Sequence, residues 1–190
     1  EGIGICFSTS VKTNSDSFVT KEWASGTYTK GNSKNITSIQ CTPSAYDSAG
    51  TAATATFTGD TDGKDNWTAL KTALGTDDDT ADASKYPAWT WVNQYATTNS
   101  LTGTYANDWY MPTVAELRAL YRAKESVSKS LKSVGGDTLE TSFWSSSQME
   151  KYASDAWYVA LHYGNIKYDS KISVDSLSHR HCVCAIRAVN

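Results

Sequence analysis

Apolar residues follow two different rhythms along this chain, and the change falls at the stretch "SVGGD", residues 133–137. Upstream, the strongest pattern is helical. In "PTVAELRALYRAKES" the apolar positions Val114, Leu117, Leu120 and Tyr121 recur at helical spacing, and Thr113 with Glu116 matches the T-x-x-E capping box. That helix is expected to run to about residue 124. A second helix is predicted to open at Pro87, whose fixed φ suits the first helical position, with Ala88, Trp91, Val92 and Tyr95 on one face. A third is expected over 67–74, capped by Asp65 or Asn66. Earlier still, "IGICF" (3–7), "ITSIQC" (36–41) and "AATATFTG" (52–59) read as short strands. Downstream of the break the period drops to two. "SFWSSS", "AWYVALHYG" and "CVCAIRAV" are predicted strands. In the second, Trp157, Val159 and Leu161 are expected to point inward and Tyr158, Ala160 and His162 outward. "NIKYDSKISVDSLSHRH", between the last two, holds no steady period and is expected to be mainly loop. Strands at both ends with helices between them imply an α+β class.

Composition narrows the function classes. The 190 residues suffice for one sizeable domain, taken as 1–190, and 39% hydrophobic content with 12% aromatics suits a packed globule. A net charge of −3 without any basic stripe gives no electrostatic reason to expect nucleic acid. No run approaches the ~18 apolar residues of a membrane span, so no direct membrane insertion is expected from this segment. The first residue is not Met and no leader pattern is visible, which suggests a mature or trimmed chain. Its Thr, Ser, Asn and Gly content has the look of an exported protein.

The chemistry-bearing residues gather without catalytic spacing. All three histidines, His162, His179 and His181, fall in the closing stretch, but no carboxylate stands at a firm ligand spacing, so exposed contact residues are expected and no metal. Asp60, Asp62 and Asp65 surround Gly63, yet the twelve-residue calcium loop ending in Glu is absent, and a solvated turn is the expectation. Four cysteines, Cys6, Cys41, Cys182 and Cys184, leave three pairings open. Cys182 and Cys184 at i,i+2 sit too far apart in a strand for an unstrained bridge, so separate thiols or pairs with Cys6 and Cys41 are expected. Arg187, inside an apolar strand, needs compensation, and Glu116 is its expected partner.

The pieces "GDTDGKDNW", "YPAWTWVNQYA", "WYMPTVAELRALY", "FWSSSQ", "AWYVALHYG" and "VCAIRAV" occur in an order that resembles the C-terminal domain of Legionella collagen-like proteins, over about residues 57–189. The resemblance implies a C-type lectin fold of the formylglycine-generating-enzyme subtype. Within that group the chain is similar to the variable proteins of diversity-generating retroelements, those of treponemes in particular. In such systems a reverse transcriptase randomises template adenines, so that AAC or AAT codons become Tyr, Ser, Asp, His, Asn or Cys codons, among others. Lys, Glu, Gln, Met and Trp are out of reach. The closing stretch fits, with Tyr, His, Asp, Ser and Cys set within a frame of Trp157, Val159, Gly164, Lys167 and Lys171.

The resulting expectation is a ligand-binding surface within about residues 148–182. It comprises Tyr152, Ser154, Asp155, Tyr158, Ala160, His162, Tyr163, Tyr168, Asp169, Ser170, Ser173, Asp175, Ser178, His179, His181 and Cys182. Tyr, Ser, Asp and His supply the rigid aromatic area and adaptable hydrogen bonding that paratopes use. The expected partner is a macromolecule, protein before others, because dispersed contacts suit a broad face. No cofactor and no catalysis are expected: the C-x-x-x-x-C pattern of the aerobic formylglycine-generating enzymes is missing, and so are the Glu-Pro-Asn and Trp-Asn-Asp calcium motifs of sugar-binding lectins. The resemblance further implies a bacterial cell-surface location through a lipid anchor. A fixed adhesion domain of the same fold is the first alternative, and an oxidase of the formylglycine-generating type a distant one.

Overall fold

The polar run Ser145-Ser146-Ser147-Gln148 might be expected at a surface, yet all four side chains are fully buried. They belong to β5 (Ser142–Gln148), the third strand in the order of a five-stranded sheet. In the computed structural model, which describes residues 4–7, 20–25, 30–76, 84–133, 135–136, 138–172 and 181–189, the molecule is organised around this strand. Its neighbours are β6 (Asp155–Ala160), antiparallel, and β8 (His181–Cys182), parallel. Outside them lie β7 (Asn165–Ser170) and β2 (Thr20–Lys21), giving the order β2-β8-β5-β6-β7. Two further strand pairs complete the β structure: β1 (Gly4–Phe7) with β9 (Ile186–Val189), and β3 (Cys41–Pro43) with β4 (Phe57–Gly59).

Burial of so many hydroxyls and an amide is tolerable because each finds a partner. Ser145 Oγ donates to Trp157 O (2.7 Å), where the β5–β6 register shifts. Ser146 Oγ accepts from Asn66 Nδ2 (2.8 Å), and Ser147 Oγ from Val114 N (3.1 Å). Gln148 accepts from Ile36 N (2.6 Å) and donates to Lys34 O and Ala153 O. One strand thereby fastens four separate stretches of chain.

Each face of the sheet carries its own core. On one side, Phe143, Trp157, Val159, Leu161 and Ile166 pack with Val114 and Leu117 of α5 (Val114–Arg122) and Leu131 of α6 (Lys124–Ser133). On the other, Trp144 and Ala156 pack with Trp23, Leu70 of α2 (Asn66–Leu74), and Trp89 and Val92 of α3 (Pro87–Asn93). The predicted capping box forms: Thr113 Oγ1 accepts from Glu116 N, and the Glu116 carboxylate accepts from Thr113 N (2.8 Å). Glu116 also receives Gly63 N and the Tyr110 hydroxyl. Gly63 is obligatory there, since a Cβ would lie 2.5 Å from Met111 O. The mixed α+β class of the sequence reading holds.

Several local expectations need correction. The predicted helix ends at Arg122, and α6 follows after Ala123 as a separate element. In the Pro87 helix it is Trp89 that is buried, while Trp91 lies half-buried against Tyr95. The 52–59 strand is instead a helical turn, α1 (Thr51–Thr54), then β4, because Gly50 enters it at φ +78° and Ala52 and Ala55 turn inward together. "ITSIQC" likewise starts as a 3₁₀ turn at Thr37–Ile39 before β3. Glu116 does not meet Arg187, whose guanidinium lies over the Tyr105 ring at 5.2 Å. The largest revision concerns "NIKYDS": it is β7, paired along its length with β6. Ile166 is its single aliphatic residue, so the alternation that makes it a strand carried almost no hydrophobic signal.

Candidate ligand-binding surface

The hairpin β6–β7 carries eight of the sixteen residues of the predicted surface, and its pleat decides which residues can act together. Cross-strand pairs run Asp155–Ser170, Ala156–Asp169, Trp157–Tyr168, Tyr158–Lys167, Val159–Ile166 and Ala160–Asn165. Side chains alternate between faces, so Tyr168 shares a face with Trp157, while Tyr158 and Asp169 lie on the other. The expected surface is therefore two patches wrapped round the last strand of the sheet.

On the Tyr158 face, the His181 ring stacks on Tyr158 at 3.8 Å between centroids and meets the Trp144 edge at 4.5 Å. His181 Nε2 lies 3.2 Å from Asp169 Oδ2. Burial, with Asp169 and Asp47 nearby, pushes the Tyr158 hydroxyl up to about 12, so this phenol stays a neutral donor. Beside it, Lys167 pairs with Asp47 at 3.4 Å. Together these groups form a polar and aromatic patch in which Trp144 is buried and Asp47 exposed.

On the Trp157 face, Tyr168 stands among Tyr46 (5.9 Å), Tyr152 (6.1 Å) and the edge of buried Trp157 (5.7 Å). Tyr46, Tyr152 and Tyr168 are 41%, 43% and 36% exposed. Tyr46 was missed by sequence reasoning, since it lies in the turn "PSAYDSAG", 106 positions before Tyr152. A tyrosine in a Pro- and Gly-bounded turn was the one local hint.

Between the patches, the 161–164 turn raises His162 and Tyr163, both exposed, with rings 3.9 Å apart. Its backbone is nevertheless held firmly. Gly50 N and Ala52 N donate to Tyr163 O and Gly164 O, and Lys124 Nζ to Leu161 O. Gly164, at φ +68°, lies so close to the Tyr121 ring that a Cβ would come within 2.4 Å of it. The other frame residues behave alike except Lys167, which is half-buried in the Tyr158-face patch. Trp157 and Val159 are buried, and Lys171 is fully buried. Its Nζ donates to Gly31 O (2.8 Å) and Ala153 O (2.6 Å) and sits 4.6 Å from the Trp23 ring centre. Burial lowers its pKa to about 7. This lysine ties the end of β7 to the turn that bears Tyr152 and Ser154.

A sequence model of the Lcl C-terminal domain matches residues 22–184, most of the chain. The chain belongs to that family. No curated protein matches it.

Placement of the predicted residues in this Lcl C-terminal domain is uneven. Tyr152, Ser154, His162, Tyr163 and Tyr168 are exposed, and Asp155, Tyr158, Asp169, Ser170 and His181 are half-buried. Ala160 and Cys182 are 6% exposed and do not belong to a surface. Ala160 ends β6 between β5 and β7, while Cys182 lies in β8 between β2 and β5, where neighbouring strands cover both sides. Ser173, Asp175, Ser178 and His179 lie outside the described residues.

Other candidate chemistry resolves into structure. Asp60 Oδ1 accepts from Asp62 N and Asp62 Oδ1 from Lys64 N, making successive turns that lead into α2. Among the described residues, no group of three or more His, Cys, Asp and Glu side chains is placed to hold a metal ion. Cys41, Cys182 and Cys184 are buried free thiols, and burial pushes Cys41 up to about 12 and raises the other two. Among the described residues, no helix is long and apolar enough to cross a membrane.

Proposed function

We infer that this Lcl C-terminal domain is a macromolecule-binding module whose C-terminal surface is diversified by a retroelement. It adopts the C-type lectin fold in the formylglycine-generating-enzyme variant and works at a bacterial cell surface through a lipid anchor. The observation that carries the reading is the division of labour in the β6–β7 hairpin. Its backbone and frame are fixed by buried Trp157, Gly164 and Lys171, while Tyr152, Ser154, His162, Tyr163 and Tyr168 project from them. Residues so placed change identity at a stability cost within about 0.5 kcal/mol each, which a diversified surface requires. The exposed types are those reachable from randomised adenine codons, and the frame keeps Trp and Lys, which are not.

Binding without turnover accounts for the cysteines as well. A thiol held above its ordinary pKa by burial is a poor nucleophile at neutral pH, and Cys182 and Cys184 are both in that state. The partner is a protein, because the residues wrap a strand edge as two broad patches and suit a wide interface.

Sequencing the downstream flank of the gene tests the reading. A near-copy of the 3′ end, differing almost wholly at adenines and lying beside a reverse-transcriptase gene, is the expected result. Absence of any such copy from the genome would reduce the domain to a fixed adhesion module.

A further inference from the structure

The Trp157 face holds an arrangement of rings with a definite chemical preference. Tyr46 and Tyr168 stand 5.9 Å apart with planes at 72°, and Tyr152 leans on the far side of Tyr168 at 43°. Rings set at steep angles cannot all turn their faces into one another. Tyr46, Tyr152 and Tyr168 remain 41%, 43% and 36% exposed around buried Trp157, whose ring Tyr46 meets at 5.2 Å, so each still offers ring surface to a partner. The face of an aromatic ring is the negative end of its quadrupole, and it attracts cations. The molecule already displays that attraction here, since the Lys151 ammonium lies over the Tyr152 ring at 5.3 Å. A carboxylate adds to the field, since Asp155 lies on the Trp157 side of β6.

Backbone pairing gives a partner little by comparison. Along the outer edge of β7, Ile166 O accepts from Asp47 N, Ile166 N donates to Thr51 Oγ1, and Ser170 N donates to the Asp169 side chain. A guest strand would have to displace these bonds, so recognition falls to the side chains.

We propose that Tyr46, Tyr152 and Tyr168 form a subsite for a cationic side chain, an arginine above all, of a protein partner. The subsite rests on the binding function proposed above and extends it to Tyr46, which lies far outside the 148–182 region. Arginine suits it better than lysine because a planar guanidinium stacks on a ring while keeping its N–H donors for a carboxylate such as Asp155 on the same side of β6. Tyr46 gives the surface a constant preference for basic partners, on which changes at the other positions are superimposed.

Methylguanidinium and its neutral isostere methylurea are the probes. Each is titrated into the full chain at constant ionic strength while ring signals of the tyrosines and the Trp157 indole N–H are followed by NMR. Saturable shifts at Tyr46 and Tyr168 with methylguanidinium, absent with methylurea, are expected. Y46L should weaken binding by about fivefold, in line with one cation–π contact, and Y46F should retain it. Equal responses to the two probes, shifts that never saturate, or a Y46L protein that binds like the parent would overturn the subsite. The readout is independent of the gene's flank, so a missing template copy would remove diversification and leave this subsite standing.

Discussion

Strand β5 and the β6–β7 hairpin draw on much the same polar vocabulary and treat it in opposite ways. In β5, three serines and a glutamine are sealed from water, and each is bonded to a different part of the chain. In the hairpin, Ser154, His162 and Tyr163 project from a backbone that is itself bonded on both sides. A buried polar group is costly unless satisfied, so the first set cannot vary without loss. The second set meets water in any case and is close to free to vary. Identity of residue says little about tolerance; the number of bonds that depend on the residue says most.

The sharpest way to break the contrast is at Gln148. Q148L keeps the volume but strands Ile36 N and the carbonyls of Lys34 and Ala153, and the loss should be about 3 kcal/mol in chemical denaturation. A Q148L protein with the parent's midpoint would mean that β5 does not organise the fold.

A smaller effect is expected at Lys171, the polar residue in the hairpin region that behaves like those of β5. Its folded pKa of about 7 lies below the unfolded value near 10.4, so above pH 7 the unfolded chain binds more protons at this site. Stability from this group therefore rises with pH through that window. Between pH 7 and 8.5 the parent should gain stability relative to K171M, by at most about 1.4 kcal/mol per pH unit. Parallel pH profiles for the two proteins would show that the ammonium is not desolvated.

The smallest effect is expected at the hairpin tip. H162S and Y163S, alone or together, should shift stability by no more than about 0.5 kcal/mol per site. Thermal melts of the double variant check this. A drop of several degrees would mean that the tip contributes to the fold and is no free display position.

Much of the architecture was legible along the chain because its signals are local. The Thr113–Glu116 capping box, Pro87 at a helix start and the period-two runs of β5 and β6 each depend on neighbours a few residues away, and each forms, although the strand read over 156–164 gives way to a turn after Ala160. β7 was hidden, since Ile166 and Tyr168 supply only two alternating positions in an otherwise polar run. The candidate surface was legible in membership and not in arrangement. Tyr158 and Tyr168 looked equivalent as tyrosines in one short stretch, yet the β6–β7 register sends them to opposite faces. Ala160 and Cys182 looked like members of the same set, and flanking strands bury them.

Propensity, capping and composition act over a few residues, and they were enough for the α+β class, the main helix and its cap, and the concentration of Tyr, Ser, Asp and His near the C-terminus. Which of those residues meet solvent, their division into two patches and the place of Tyr46 in one of them came from the folded arrangement. Register and strand order are long-range pairings, fixed by bonds such as those of Gln148 and Lys171 that join positions more than a hundred residues apart.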